Sequence, residues 1–179
     1  MKKSEEDKIK RNAAKSKGTS LKNLVELSND PDPLLKIELA KREELPEIIL
    51  LRYAKDENEF ESVRIEVAKN KRAGGQILQA LLDNKNVTAN IKIAILEAKF
   101  ISGAILKSLS SDESAEVRYA VAKHHKTNTA ILKRMARDKS VVVRETVCKN
   151  KNTSLFTLLR LAEDEDPFVK YTADKRLTN

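Results

Sequence analysis

Val117-Arg118-Tyr119-Ala120-Val121-Ala122-Lys123-His124 and Val143-Arg144-Glu145-Thr146-Val147-Cys148-Lys149-Asn150 carry one pattern 26 residues apart. In each, an apolar residue is followed at once by Arg, and apolar and small residues return four and five places later. Working outward, the same apolar–basic step recurs at Ile9-Lys10, Leu35-Lys36, Val63-Arg64, Ile91-Lys92 and Val169-Lys170. The intervals along the whole series are 26, 28, 28, 26, 26 and 26 residues. Self-similarity at such a period marks a stack of repeats in which each unit covers the apolar face of its neighbour.

Numbering each repeat from its apolar starter as position 0, position 4 reads Ala13, Leu39, Val67, Ile95, Val121, Val147 and Ala173. Position 5 reads Ala14, Ala40, Ala68, Leu96, Ala122, Cys148 and Asp174, mostly small side chains that let a neighbouring backbone approach. Positions 0, 4 and 5 share a stripe about 140° wide at 3.6 residues per turn, which predicts an amphipathic helix of roughly ten residues. This is the second helix of each repeat.

A short polar link follows, with helix-start residues such as Thr19-Ser20, Ser102, Thr127 to Thr129 and Thr153-Ser154, or Pro46 just inside a start. Gly18, Gly74, Gly75 and Gly103 fall in or beside this link, where a permissive backbone eases a turn. A first helix comes next, marked at position 18 by Leu27, Tyr53, Leu81, Leu109, Met135 and Leu161. Position 21 is then Asp30, Asp56, Asp112, Asp138 and Asp164, with Asn84 as the exception. Asp32-Pro33 and Asp166-Pro167 supply a cap and a first-turn proline for the following second helix. Each unit reads as a helix–turn–helix hairpin.

The motif at 117–124 and 143–150, each preceded by Asp six residues upstream, resembles the variant leucine-rich repeat and HEAT-like repeat families over residues 9 to 177. The resemblance implies an all-α, right-handed α-solenoid, a superhelix of about six and a half two-helix repeats of period 26–28, with the second helices lining a concave face. It also implies that the position 1 cations and the recurring Asp form a ladder between repeats. Some variant leucine-rich repeat proteins carry an amino-terminal cysteine cluster for an iron–sulfur centre; this chain has one cysteine, Cys148, so no cofactor is expected. The expected organisation is a basic, frayed arm at 1–8 and one solenoid at 9–179. Asp174 breaks the small-residue column and the first repeat offers only Ala13 and Ala14, which reads as capping at both ends of a complete short solenoid.

Charge divides into structural and candidate functional columns. The position 1 cations, Lys10, Lys36, Arg64, Lys92, Arg118, Arg144 and Lys170, begin inside the apolar stripe, where an unpaired charge is costly. They read as structural. Position 6, with Lys15, Lys41, Lys69, Glu97, Lys123, Lys149 and Lys175, points away from the stripe. One turn back, position 2 holds Arg11, Ile37, Ile65, Ile93, Tyr119, Glu145 and Tyr171. Lys41, Lys69, Tyr119, Lys123, Lys149, Tyr171 and Lys175 are therefore the candidate partner-binding residues. The competing explanation is local: a lysine near a helix carboxyl end meets the helix dipole favourably with no ligand.

The chain of 179 residues has a net charge of +8, which raises acidic partners. Seven cations and three acids fall in residues 1 to 18, so half of that surplus sits in a tenth of the chain. No apolar run is longer than Ile48 to Leu51, far short of the roughly 20 residues of a membrane span, and no membrane partner is expected. A lone cysteine fits a reducing, cytoplasmic setting. His124 and His125 are adjacent and cannot grip one metal as an i, i+4 pair would, and Cys148 sits in a packing column. A monomeric, non-catalytic scaffold without small-molecule substrate is expected, binding an acidic or amphipathic protein segment. The alternative is sequence-nonspecific binding of nucleic-acid backbone through the lysine row with Tyr119 and Tyr171. More remote is an enzyme like the HEAT-like DNA glycosylases, whose sites are aromatic-rich; this chain has no Trp and every regular Asp has a ladder role.

Overall fold

A computed structural model describes the backbone of residues 2–178 and the side chains of residues 5–178. Met1 and the side chains of Lys2, Lys3 and Ser4, part of the expected basic arm, lie outside the described residues. The described residues form helices and loops, with no strand. Seven second helices are α1 (Lys2–Lys15), α3 (Pro33–Ala40), α5 (Glu61–Lys69), α7 (Ala89–Leu96), α9 (Ala115–Lys123), α11 (Val141–Lys149) and α13 (Pro167–Leu177). Between them run the first helices α2 (Leu21–Leu27), α4 (Glu47–Lys55), α6 (Gly75–Asp83), α8 (Gly103–Leu109), α10 (Thr129–Met135) and α12 (Leu155–Leu161).

The helices fall into two compact units, Met1–Ile101 and Ser102–Asn179. In the first, α3 packs between α1 and α5, α5 meets α7, and α4 lies on α6. In the second, α11 packs between α9 and α13, while α8, α10 and α12 each lie against the second helix that follows. Each unit is thus a stack of helical repeats, as the period demands.

The predicted columns are the core. Leu35, Val63, Ile91, Val117, Val143 and Val169 at position 0, and Leu39, Val67, Ile95, Val121, Val147 and Ala173 at position 4, are fully buried. Burial of each large side chain contributes about 1.5–3 kcal/mol. The terminal copies are lighter: Ile9 is exposed, and Asp174 faces solvent where other repeats bury a small residue.

Short helices need their ends satisfied, and most starts here are capped. Ser20, Thr88, Ser102, Ser114, Asn128 and Ser154 each accept an N–H from the first turn. Asp32 and Asp166 do so ahead of Pro33 and Pro167. Such caps stabilise by about 1 kcal/mol each. Two local expectations shift. Pro46 precedes α4 and does not sit inside it. Among the described residues no glycine has a positive φ; Gly74 precedes α6 with extended backbone at φ −78°. The turns close through polar side chains instead.

Candidate functional site

Two polar ladders knit neighbouring repeats, and they decide which charges are left for a partner. Arg118 donates from Nε and a terminal nitrogen to both carboxylate oxygens of Asp138 at 2.7 and 2.9 Å. Arg144 grips Asp164 in the same way, both bonds 2.9 Å. These pairs are buried. The carboxylate comes from the following repeat, twenty residues on. The Asp six residues upstream serves differently, offering its backbone carbonyl, as Asp112 does to Arg118 and Asp138 to Arg144.

Other rungs vary this scheme. Lys10 reaches Asp30 at 3.0 Å, and Lys36 takes Glu59 at 2.7 Å in place of Asp56. Arg64 donates to the Asn84 amide oxygen at 2.9 Å. Asn84 is the neutral exception in the Asp column, and its Nδ2 also donates to the carbonyls of Ala54 and Asp56. Burial alone would raise the Asp138 and Asp164 carboxyls. Hydrogen bonds from Arg118 and Arg144, joined by those from the Ser140 and Asp166 N–H groups, outweigh it and hold both below the ordinary value.

The second ladder, at position 7, escaped the sequence reading. Asn70 donates through Nδ2 to the carbonyls of Ala40 and Arg42 at 2.6 and 2.8 Å. Asn150 donates to those of Ala122 and His124 at 2.7 and 3.2 Å. Arg42 does the same work with Ala14 and Ser16. The Ala40, Ala122 and Ala14 carbonyls lie in the last turn of the preceding second helix, where no intrahelical donor reaches them; those of Arg42, His124 and Ser16 lie just beyond it and also accept the Leu45, Thr127 and Thr19 N–H groups. His124 occupies this column, accepting the Lys126 N–H at its Nδ1 and stacking on His125 with centroids 4.6 Å apart. The signal was the run Arg42, Asn70, His124, Asn150, Arg176; its meaning depends on the neighbouring repeat, which a single helical wheel omits.

With these columns committed to the fold, the solvent-facing strip of α9, α11 and α13 is the candidate site. Tyr119, Lys123 and Lys149 converge on one cleft of about 300 Å³, lined also by Val142, Glu145, Thr146 and Asn150. Lys123 lies over the Tyr119 ring at 6.0 Å, and Lys149 pairs with Glu145 at 2.7 Å. Such an exposed i, i+4 pair contributes about 0.3–0.5 kcal/mol, little enough for a partner carboxylate to compete. Tyr171 and Lys175 sit on α13, which packs against α11, and Thr172 donates to Glu145 at 3.5 Å. Lys41, just past the end of α3, and Lys69, the last residue of α5, are exposed in the first unit and take no part in this cleft. There Lys41 pairs with Glu38 at 3.1 Å.

Two residues of the strip were not expected: Val142 and Phe168. They stand one place before the starter and are 55 and 74% exposed, beside Tyr171 at 66%. That column reads Lys8, Leu34, Ser62, Asn90, Glu116, Val142 and Phe168, so its turn to apolar residues at the carboxyl end was visible in the sequence. Cys148 is fully buried, and burial first of all pushes its thiol up to about 12. Among the described residues no three His, Cys, Asp or Glu side chains cluster in a way that could hold a metal ion. No helix among them is long and apolar enough to cross a membrane.

Stacked antiparallel helix pairs joined by inter-repeat ladders define a helical-repeat protein. No family model matches the chain, and no curated protein matches it. It is similar to a solved structure of a leucine-rich repeat variant with a novel repetitive protein structural motif, at 22% identity and a TM-score of 0.47. That similarity covers 88% of this chain and 72% of the other.

Proposed function

We propose that the chain is a non-catalytic binding scaffold whose second-helix face in the Ser102–Asn179 unit takes up an acidic, amphipathic protein segment. One observation carries this reading. On α11 and α13 an exposed apolar side chain, Val142 or Phe168, stands two turns before a lysine, Lys149 or Lys175, and Tyr119 and Lys123 extend the arrangement onto α9. A segment with apolar residues along one edge and carboxylates along the other meets both rows at once.

The test is fluorescence anisotropy of a labelled synthetic helix of Leu and Glu against the full chain. Binding that weakens at least tenfold in Val142→Glu/Phe168→Glu, and that salt also weakens, supports the reading. Labelled duplex and single-stranded nucleic acid serve as competitors. If they bind with a log–log salt slope of about −3 to −5 while the peptide does not, the lysines grip phosphates and the protein-segment reading falls.

A further inference from the structure

The outer helices of the second unit carry a different surface. The segments Gly103–Leu109, Thr129–Met135 and Leu155–Leu161 contain no Asp or Glu, yet they hold Lys107, Lys133, Arg134 and Arg160, all exposed. Adjacent helices are tied by Arg134, which donates to the Lys107 carbonyl at 3.1 Å and to the Ser110 hydroxyl. Lys133 lies over the Phe156 ring at 5.5 Å. The nearest acids in sequence, Asp112, Asp138, Glu163 and Asp164, come only after these helices have ended.

The last outer helix breaks the pattern of its predecessors. Where α8 places Gly103, Ala104 and Lys107, and α10 places Thr129, Ala130 and Lys133, α12 places Leu155, Phe156 and Leu159. These three are 66, 67 and 53% exposed. The helix α12 is anchored instead through Thr157, Leu158 and Leu161, which are buried. Large apolar side chains standing in water on helices that carry cations and no acid mark an interaction surface, although the loops beside Arg134 and Arg160 bring Asp112, Glu113, Glu163 and Glu165 to its edge.

We propose that this face docks on a lipid surface bearing anionic headgroups, with Phe156, Leu155 and Leu159 entering the interface and Lys107, Lys133, Arg134 and Arg160 meeting the headgroups. Charge sets the sign of the occupant, since four cations and no acid on the three helices disfavour a second copy of the same face. Shape sets its kind. The side chains project from the helix with most of their surface free, and a bilayer interface yields to projecting side chains whereas a protein partner must bring a matching pocket. That no helix among the described residues is long and apolar enough to cross a membrane does not bear on such docking, because contact at the surface requires no span. This proposal stands apart from the peptide-binding reading, which uses α9, α11 and α13.

The experiment is co-sedimentation of the full chain with phosphatidylcholine vesicles, with and without phosphatidylglycerol. The expected result is binding to the anionic vesicles alone, weakened at least tenfold in Phe156→Ser/Leu159→Ser and also weakened in Lys107→Gln/Lys133→Gln. Both variants replace exposed side chains, and unchanged thermal unfolding confirms that the fold is intact. No sedimentation with anionic vesicles at low salt overturns the proposal. So does binding that Phe156→Ser/Leu159→Ser leaves unchanged, because charge without insertion would then account for it.

Discussion

Arg144→Ala removes one guanidinium and leaves two acceptor groups behind. Asp164, only 9% exposed at its side chain, loses both bonds to Arg144 and keeps the Asp166 N–H as its hydrogen-bond donor. The Asp138 carbonyl loses its 2.9 Å bond. Removing one partner of a buried, hydrogen-bonded pair costs about 3–5 kcal/mol, mostly through the charge left uncompensated. The lower end applies here, because protonation can relieve the stranded carboxylate. A loss of about 3 kcal/mol corresponds to a fall in Tm of roughly 6–12 °C for a chain of this size. Asp164→Asn is the informative companion. The chain already uses Asn84 opposite Arg64, so a neutral acceptor suffices for a rung, and this variant should cost about 1–2 kcal/mol less than Arg144→Ala. Urea unfolding followed by circular dichroism measures both. A loss below about 1 kcal/mol for Arg144→Ala would refute the structural role of the ladder.

Lysines of the exposed column behave oppositely: Lys69→Glu/Lys123→Glu/Lys149→Glu should leave Tm within a few degrees, and its unfolding would show that the structural and exposed columns have been interchanged. Asn150→Ala strips the Ala122 carbonyl of its donor and the Asn152 N–H of its acceptor, leaves the His124 carbonyl with the Thr127 N–H alone, and should cost about 2 kcal/mol by the same urea assay. Acid should destabilise through the Asp rungs. Their folded pKa lies below the unfolded value of about 3.9, so their contribution is fully present above that pH and is lost as pH falls through the folded value. In Asp138→Asn/Asp164→Asn the loss of stability as pH falls below the ordinary carboxylate range should be shallower.

Much of the fold was legible because it is written seven times. The starter residues, the position 4 and 5 columns and the Asp-Pro caps act within one helix or one turn, and those are distances a sequence period reports directly. The resemblance implies a ladder between repeats from the position 1 cations and the recurring Asp, but not which Asp each cation takes: Arg144 takes Asp164 and not the nearer Asp138, because packing of neighbouring hairpins sets that choice. The second ladder escaped altogether. Asn70 and Asn150 looked like ordinary helix-end residues until the carbonyls they reach, 26 to 30 residues back, were placed beside them. The candidate strip was half visible: Tyr119, Lys123 and Lys149, from positions 2 and 6, line one cleft, while Val142 and Phe168 belong to a column polar in most earlier repeats.

The most direct test of the proposed scaffold is an amide NMR titration of the full chain with the Leu–Glu helix. Shifts gathered on α9, α11 and α13, at Tyr119, Lys123, Val142, Lys149, Phe168 and Tyr171, with the buried Arg118 and Arg144 rungs undisturbed, are the predicted result. Shifts confined to α12 or to the Met1–Ile101 unit would contradict it.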